Sequence, residues 1–186
     1  MRGCARRPVL VELARFADDH PDALQLEPPA HDDELDGIEE ELDVNLSAEL
    51  RALYRWCDGF CWYAPGKEEP SVQMMAHDEL RRWRDLDDDL ASKPVRRVAR
   101  IPKSSRATIE HPMRLLVFDV VNGDFVSVLC ADDGEQRLID DHTDGPTGAT
   151  RKTLAEFLAH LLAAARGDPN DDWSADVVEF FDAPND

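Results

Sequence analysis

Long apolar runs are missing from this chain. No stretch approaches the roughly 20 consecutive apolar residues that a membrane span needs. The N-terminus carries no basic leader joined to an apolar segment and a cleavage site, so neither insertion nor export is expected. Cysteine is scarce: Cys4, Cys57, Cys61 and Cys130 are the four in 186 residues, with none of the spacing of a disulfide framework. Without an export signal the thiols are expected to be reduced, in a cytoplasm. Cys57 and Cys61 have no second Cys or His pair at matching spacing, so they read as buried thiols and not as half a zinc site. The six histidines show no ligand spacing either, and no metal or cofactor is expected.

Catalytic signatures are absent as well. There is no Gly-x-Ser-x-Gly, no His-Glu-x-x-His and no phosphate-cradling glycine loop, so an enzyme is not expected. With 40 Asp and Glu, carboxylate pairs arise by chance and signify little. His142-Thr143-Asp144 reads as a loop and not as a catalytic pair.

Positive charge is nearly as scarce. Lys and Arg total 21, and the formal net charge is −19. Residues 16–50 hold 13 acids and no Lys or Arg, and residues 168–186 add a net charge of −7. A field of this sign repels nucleic acid and anionic membrane, which excludes both as partners, and it attracts a basic protein. The blandest alternative is that the acids form a solvated face and serve solubility.

What remains is a soluble globular composition, 42% hydrophobic and 33% charged, with length for one domain over residues 1–167 and an acidic C-terminal segment, 168–186. Pro8 suits the first turn of a helix carrying Val9, Leu10, Leu13, Phe16 and Ala17, which His20-Pro21 ends. Asp32 or Asp33 caps a second helix with Leu35, Ile38 and Leu42 as its stripe. Ser47 caps a third, with Leu50, Leu53, Tyr54 and Cys57 on one face. Asp58-Gly59 closes it in a turn that suits a positive φ at Gly59. Residues 60–70 read as an aromatic loop. Val72–Met75 reads as a short strand, and a fourth helix follows through Leu80, Trp83, Leu86 and Leu90.

After Pro94 the pattern turns to strands: Val95–Ile101, Leu115–Val121, Phe125–Cys130 and Gln136–Ile139. Asn122-Gly123 and Asp133-Gly134 mark hairpin turns. Residues 140–150 read as a loop. Thr153–Ala165 is amphipathic, with Gly167 as its C-cap, and Val177, Val178, Phe180 and Phe181 form a short segment docked by its aromatics. The order predicts an α+β fold: a mostly antiparallel sheet of about four to six strands, with N-terminal helices and a C-terminal helix packed against it.

The run from Ile38 to Gly59, a helix ending in Leu42, a Val44/Leu46 connector, Ser47, and a helix ending Trp56-Cys57-Asp58-Gly59, resembles the opening signature of the SMI1/KNR4, or SUKH, superfamily. Val72–Trp83, Arg100-Ile101-Pro102, Leu115–Asp140 and Leu154–Leu158 resemble its later pieces, in order, over roughly residues 30–165. The family's glycine-rich turn after the Ile-Pro strand has no counterpart here, because residues 103–114 contain no glycine. The resemblance implies an α+β protein-binding module. Many bacterial members resemble immunity proteins that neutralise polymorphic toxins, often nucleases. Fungal members resemble intracellular regulatory scaffolds, which is the alternative function. Arginine exceeds lysine 17 to four within the 21 cations, a bias of high-GC bacterial coding, and this favours immunity.

On this reading the partner is a cognate, basic toxin protein. Aromatics for buried area and acids for steering make the contact residues. Trp56, Asp58, Trp62 and Tyr63 surround the Asp-Gly turn. Asp87, Asp88, Asp119, Asp124, Asp132 and Asp133 supply the charge. Trp56 reads as partly core, whereas Trp62 and Tyr63, in a loop with polar neighbours, are expected at the surface.

Overall fold

A computed structural model describes residues 7–64, 66–82, 114–120, 124–130, 136–142, 145–150, 152–167 and 180–181. These form four α-helices and eight strands: α1 (Arg7–Asp19), β1 (Leu24–Leu26), α2 (Asp32–Leu42), α3 (Ala48–Tyr54), β2 (Phe60–Trp62), β3 (Val72–Met74), β4 (Arg81–Arg82), β5 (Arg114–Val120), β6 (Asp124–Cys130), β7 (Gln136–His142), β8 (Gly145–Thr150) and α4 (Leu154–Arg166). The fold is α+β, with helices from both ends of the sequence on one antiparallel sheet.

Local chemistry sets the helix ends. The N-cap of α2 is His31, one residue before the expected aspartates. Its backbone N–H donates to the Glu34 carboxylate at 2.7 Å, and three acids in the first turn face the positive end of the dipole. The helix stops at Asp43, which takes a left-handed φ of 51°. Ser47 caps α3, its hydroxyl accepting from Leu50 N–H at 3.1 Å. Thr153 caps α4 by accepting from Glu156 N–H at 3.2 Å, while the Glu156 carboxylate accepts from Thr153 N–H at 2.5 Å. This reciprocal box satisfies two otherwise orphaned donors.

The sheet runs β1-β2-β3-β5-β6-β7-β8, with β4 beside β5. It is wider than the four to six strands expected. β2, β4 and β8 fall in segments read from the sequence as loops or helix, and β1 in a stretch between two expected helices. The expected helix from residue 77 is replaced at its start by a 3-10 turn, His77–Glu79, followed by β4. β3 and β4 serve one edge of β5 in succession: β3 pairs with Phe118–Val120 and β4 with Leu115 and Leu116. Between them β5 bulges at Val117, whose carbonyl accepts from Met75 N–H at 2.9 Å. The turn at residues 75–80 therefore stands out from the sheet. The expected strand Val95–Ile101, the glycine-free residues 103–113 and both hairpin turns lie outside the described residues.

Alternation along the strands puts Phe60, Trp62, Val72, Met74, Phe118, Val120, Val126, Val128 and Leu138 in the core with Leu13 and Phe16 of α1, Leu35 and Ile38 of α2, Leu50, Leu53 and Tyr54 of α3 and Leu154, Phe157, Leu158 and Leu161 of α4. A run of rings crosses it. Phe16 meets Trp62 at 5.5 Å, Phe60 meets Trp62 at 6.2 Å and Phe118 at 6.1 Å, and Phe157 meets Phe118 at 5.2 Å and Phe180 at 5.3 Å. Such pairs contribute about 0.5–1.5 kcal/mol each beyond the area they bury. On the sheet's other face the row Gln25, Cys61, Gln73, Asp119 and Phe125 lies across five strands in register.

Candidate functional site

The site grows from the end of α3. Tyr54 is fully buried, and its hydroxyl donates to the Met75 carbonyl at 3.1 Å. Burial holds that phenol well above its ordinary pKa, so it remains a donor. The Tyr54 carbonyl accepts from Ala30 N–H at 3.0 Å, and Asp58 N–H donates to the Pro28 carbonyl at 3.0 Å. These bonds tie the segment after β1 alongside the α3–β2 corner.

Gly59 then passes close to β3. Its φ is +116°, and a Cβ there would sit 3.0 Å from the Met74 carbonyl oxygen. Only glycine fits such a backbone without strain. Asp58 faces the start of the 3-10 turn. One carboxylate oxygen accepts from His77 N–H at 2.8 Å, and the other lies 2.7 Å from His77 Nδ1.

Between the segment entering α2, the β2–β3 pair and the 3-10 turn lies an open cleft of about 590 Å³. Pro28, Pro29 and Ala76 supply apolar surface, Phe60 and Met74 border it with their side chains turned into the core, and Cys61 and Gln73 line it from the sheet's second face. Among the described residues Glu27, Glu34, Asp58, Asp78 and Glu79 bring five carboxylates and His31 an imidazole, and no Lys or Arg lines it. Among the described residues no group of three or more His, Cys, Asp or Glu has the geometry to hold a metal ion.

The arginines nearest in sequence serve other acids. Arg51 pairs with Asp36 at 2.6 Å and with Glu39, and Arg55 pairs with Asp32 at 2.5 Å. Asp36, by accepting from Arg51, raises the guanidinium's pKa further, and Arg55 holds the Asp32 carboxyl below its usual range. Glu39 also accepts from Leu46 N–H at 2.6 Å, so it is a structural acid of the α2–α3 hinge.

The residues expected at a partner surface are distributed unevenly. Asp58 lines the cleft. Tyr63 is half-buried just beyond β2, and Trp56 is half-buried against the core. Trp62 corrects the expectation of surface exposure: its ring is fully buried between Phe16 and Phe60. Phe60-Cys61-Trp62 is a strand and not a loop, and its alternation turns the indole inward. Asp119 lies in the row Cys61–Gln73–Asp119, one strand beyond the cleft. It is half-buried, and burial raises its carboxyl pKa. Asp124 opens β6 opposite Val120, with its side chain outside those described. Asp87, Asp88, Asp132 and Asp133 lie outside the described residues. Glu27, Glu34, Gln73, Asp78 and Glu79 were missed as cleft residues. Two of them belong to the acid-rich block 16–50, but nothing in the sequence says which of its acids converge.

A family model for the SMI1 / KNR4 family (SUKH-1) matches residues 29–160. That span takes in α2, α3, β2 to β8 and the start of α4, together with every residue of the cleft except Glu27 and Pro28. The chain belongs to this family. No curated protein matches it. In this SUKH-1 chain, Trp56-Cys57-Asp58-Gly59 has a structural job. The aspartate fixes the 3-10 turn and the glycine permits close contact with β3, and together they shape one wall of the cleft. No described helix is long and apolar enough to cross a membrane.

Proposed function

We propose that the protein is a non-catalytic binding module, an immunity protein that neutralises a cognate basic toxin by direct contact. One observation carries the reading: a preformed cleft walled by carboxylates, with no Lys or Arg among its described lining residues, on a SUKH-1 chain of net charge −19. A nuclease toxin needs positive charge to hold phosphates. An acidic inhibitor meets it quickly, because complementary fields raise association to about 10⁸ M⁻¹s⁻¹ at low salt. Its carboxylates then occupy the places of phosphates, and no catalytic residue is required.

Co-expression with the toxin encoded beside the gene tests this. Protection of the host and a one-to-one complex that weakens as salt is raised are expected. No protection and no complex, or turnover of a small molecule by the purified chain, overturns it.

A further inference from the structure

We infer that the cleft at the Asp58–Gly59 corner is the docking surface, and that it receives a cationic side chain on a loop of the basic partner. This rests on the binding reading above and adds the place and the chemistry of contact.

Shape comes first. At about 590 Å³ the cleft lies in the range of roughly 300–1,000 Å³ typical of ligand sites. It is a concavity and not a patch. Its two kinds of surface suit one kind of guest. Pro28, Pro29 and Ala76 are apolar, and carboxylates stand around them. Lysine and arginine have this same build, a hydrocarbon stem that packs on apolar surface and a charged head.

Charge is the second consideration. Among the described residues no Lys or Arg lines the cleft, and Arg51 and Arg55 pair with Asp32, Asp36 and Glu39. Glu34 and Glu79 each give an oxygen to a backbone N–H, of His31 and Ala76. A carboxylate has about four acceptor positions, so capacity remains for a guest. Rigidity is the third. The Tyr54–Met75 and Asp58–His77 bonds fix the walls before any partner arrives, which lowers the ordering cost of binding. The exposed acids Glu40, Glu41 and Asp43 at the end of α2 have the charge but are not among the residues that line this cleft.

The test uses the full chain, labelled with ¹⁵N, and the peptide acetyl-Gly-Arg-Gly-Arg-Gly-amide. A peptide with citrulline in place of arginine is the uncharged control. Saturable amide shifts centred on Cys61, Gln73, Ala76 and Glu79 are expected with the arginine peptide alone. Shifts centred on α2, or equal shifts with citrulline, overturn the inference. Against the neighbouring toxin, Glu27→Lys is expected to weaken binding at least tenfold and Glu27→Gln less. Glu40→Lys, of the same charge change, is expected to weaken it less than threefold. Equal losses for Glu27→Lys and Glu40→Lys overturn the cleft as the docking surface while leaving the immunity reading intact. If the toxin does not bind at all but the peptide maps to the cleft, the immunity reading fails and the cleft stands as a cation-accepting surface. Circular dichroism of each variant confirms that it is folded.

Discussion

Asp58 grips His77 twice, accepting from its backbone N–H at 2.8 Å and meeting its Nδ1 at 2.7 Å with the other oxygen. Nineteen residues separate the two in sequence. The pair fastens the 3-10 turn to the end of α3, and so one wall of the cleft to another.

Removing that grip loosens the turn. Asp58→Ala leaves His77 N–H unsatisfied in a part-buried place, and a loss of about 1–3 kcal/mol is expected. Asp58→Asn retains one acceptor oxygen and loses less. Urea denaturation of the three chains measures the order: wild type, Asn, Ala. Equal stability of Asp58→Ala and wild type contradicts a structural role for the aspartate.

Gly59→Ala meets two obstacles: a φ of +116° and a carbonyl oxygen 3.0 Å from the new Cβ. A destabilisation above about 1 kcal/mol is expected. Gly37, whose Cβ position has open space, provides the contrast. It lies inside α2, so Gly37→Ala is expected to stabilise by about 0.5–1 kcal/mol. Thermal melts of both variants check the opposite signs.

Asp119 sets a pH dependence. Burial raises its carboxyl pKa in the folded chain, so the folded state binds this proton more tightly than the unfolded one. Its contribution to stability is full below the unfolded pKa and is lost as pH rises through the folded value. Asp119→Asn is therefore expected to melt higher than wild type at pH 7, with the difference shrinking toward pH 3. A melting difference independent of pH refutes the assignment.

The buried thiols are expected to be inert. Burial pushes Cys57 up to about 12 and Cys130 up to about 11, and the thiolate is the reactive form. In an iodoacetamide pulse at pH 8, the half-buried Cys61 should label before either of them. Peptide mapping with and without urea reads the order, and early labelling of native Cys57 contradicts its burial.

Much of this was legible in the residues. The apolar stripes of α1, α2 and α4 are helical by spacing alone. Ser47, Thr153 and Gly167 mark ends where the chain does turn. Gly59 was readable as a positive-φ position because Asp-Gly after a helix seldom does anything else. The core strands β5 and β6 announced themselves as apolar runs, and the start of β7 as the partner that follows the Asp133-Gly134 turn signal. Three other strands gave little sign. Leu24-Gln25-Leu26 is too short for alternation to register. Arg81-Arg82 sat inside a plausible helical pattern, and Gly145-Pro-Thr-Gly-Ala-Thr150 has no apolar period. Each is a strand because its backbone finds a distant partner: β1 on β2, β4 on β5 and β8 on β7.

By itself the sequence determined the class of fold, the family, the absence of familiar catalytic motifs and the sign of the field. Those follow from periodicity, motif order and charge, all of which are local or additive. Tertiary structure alone decided that Trp62 faces inward, that Arg51 and Arg55 neutralise the acids of α2, and that Glu27, Asp58 and Glu79 meet across a cleft. Convergence depends on strand register and on where separate segments come to rest, and neither is written in the spacing of residues along a chain.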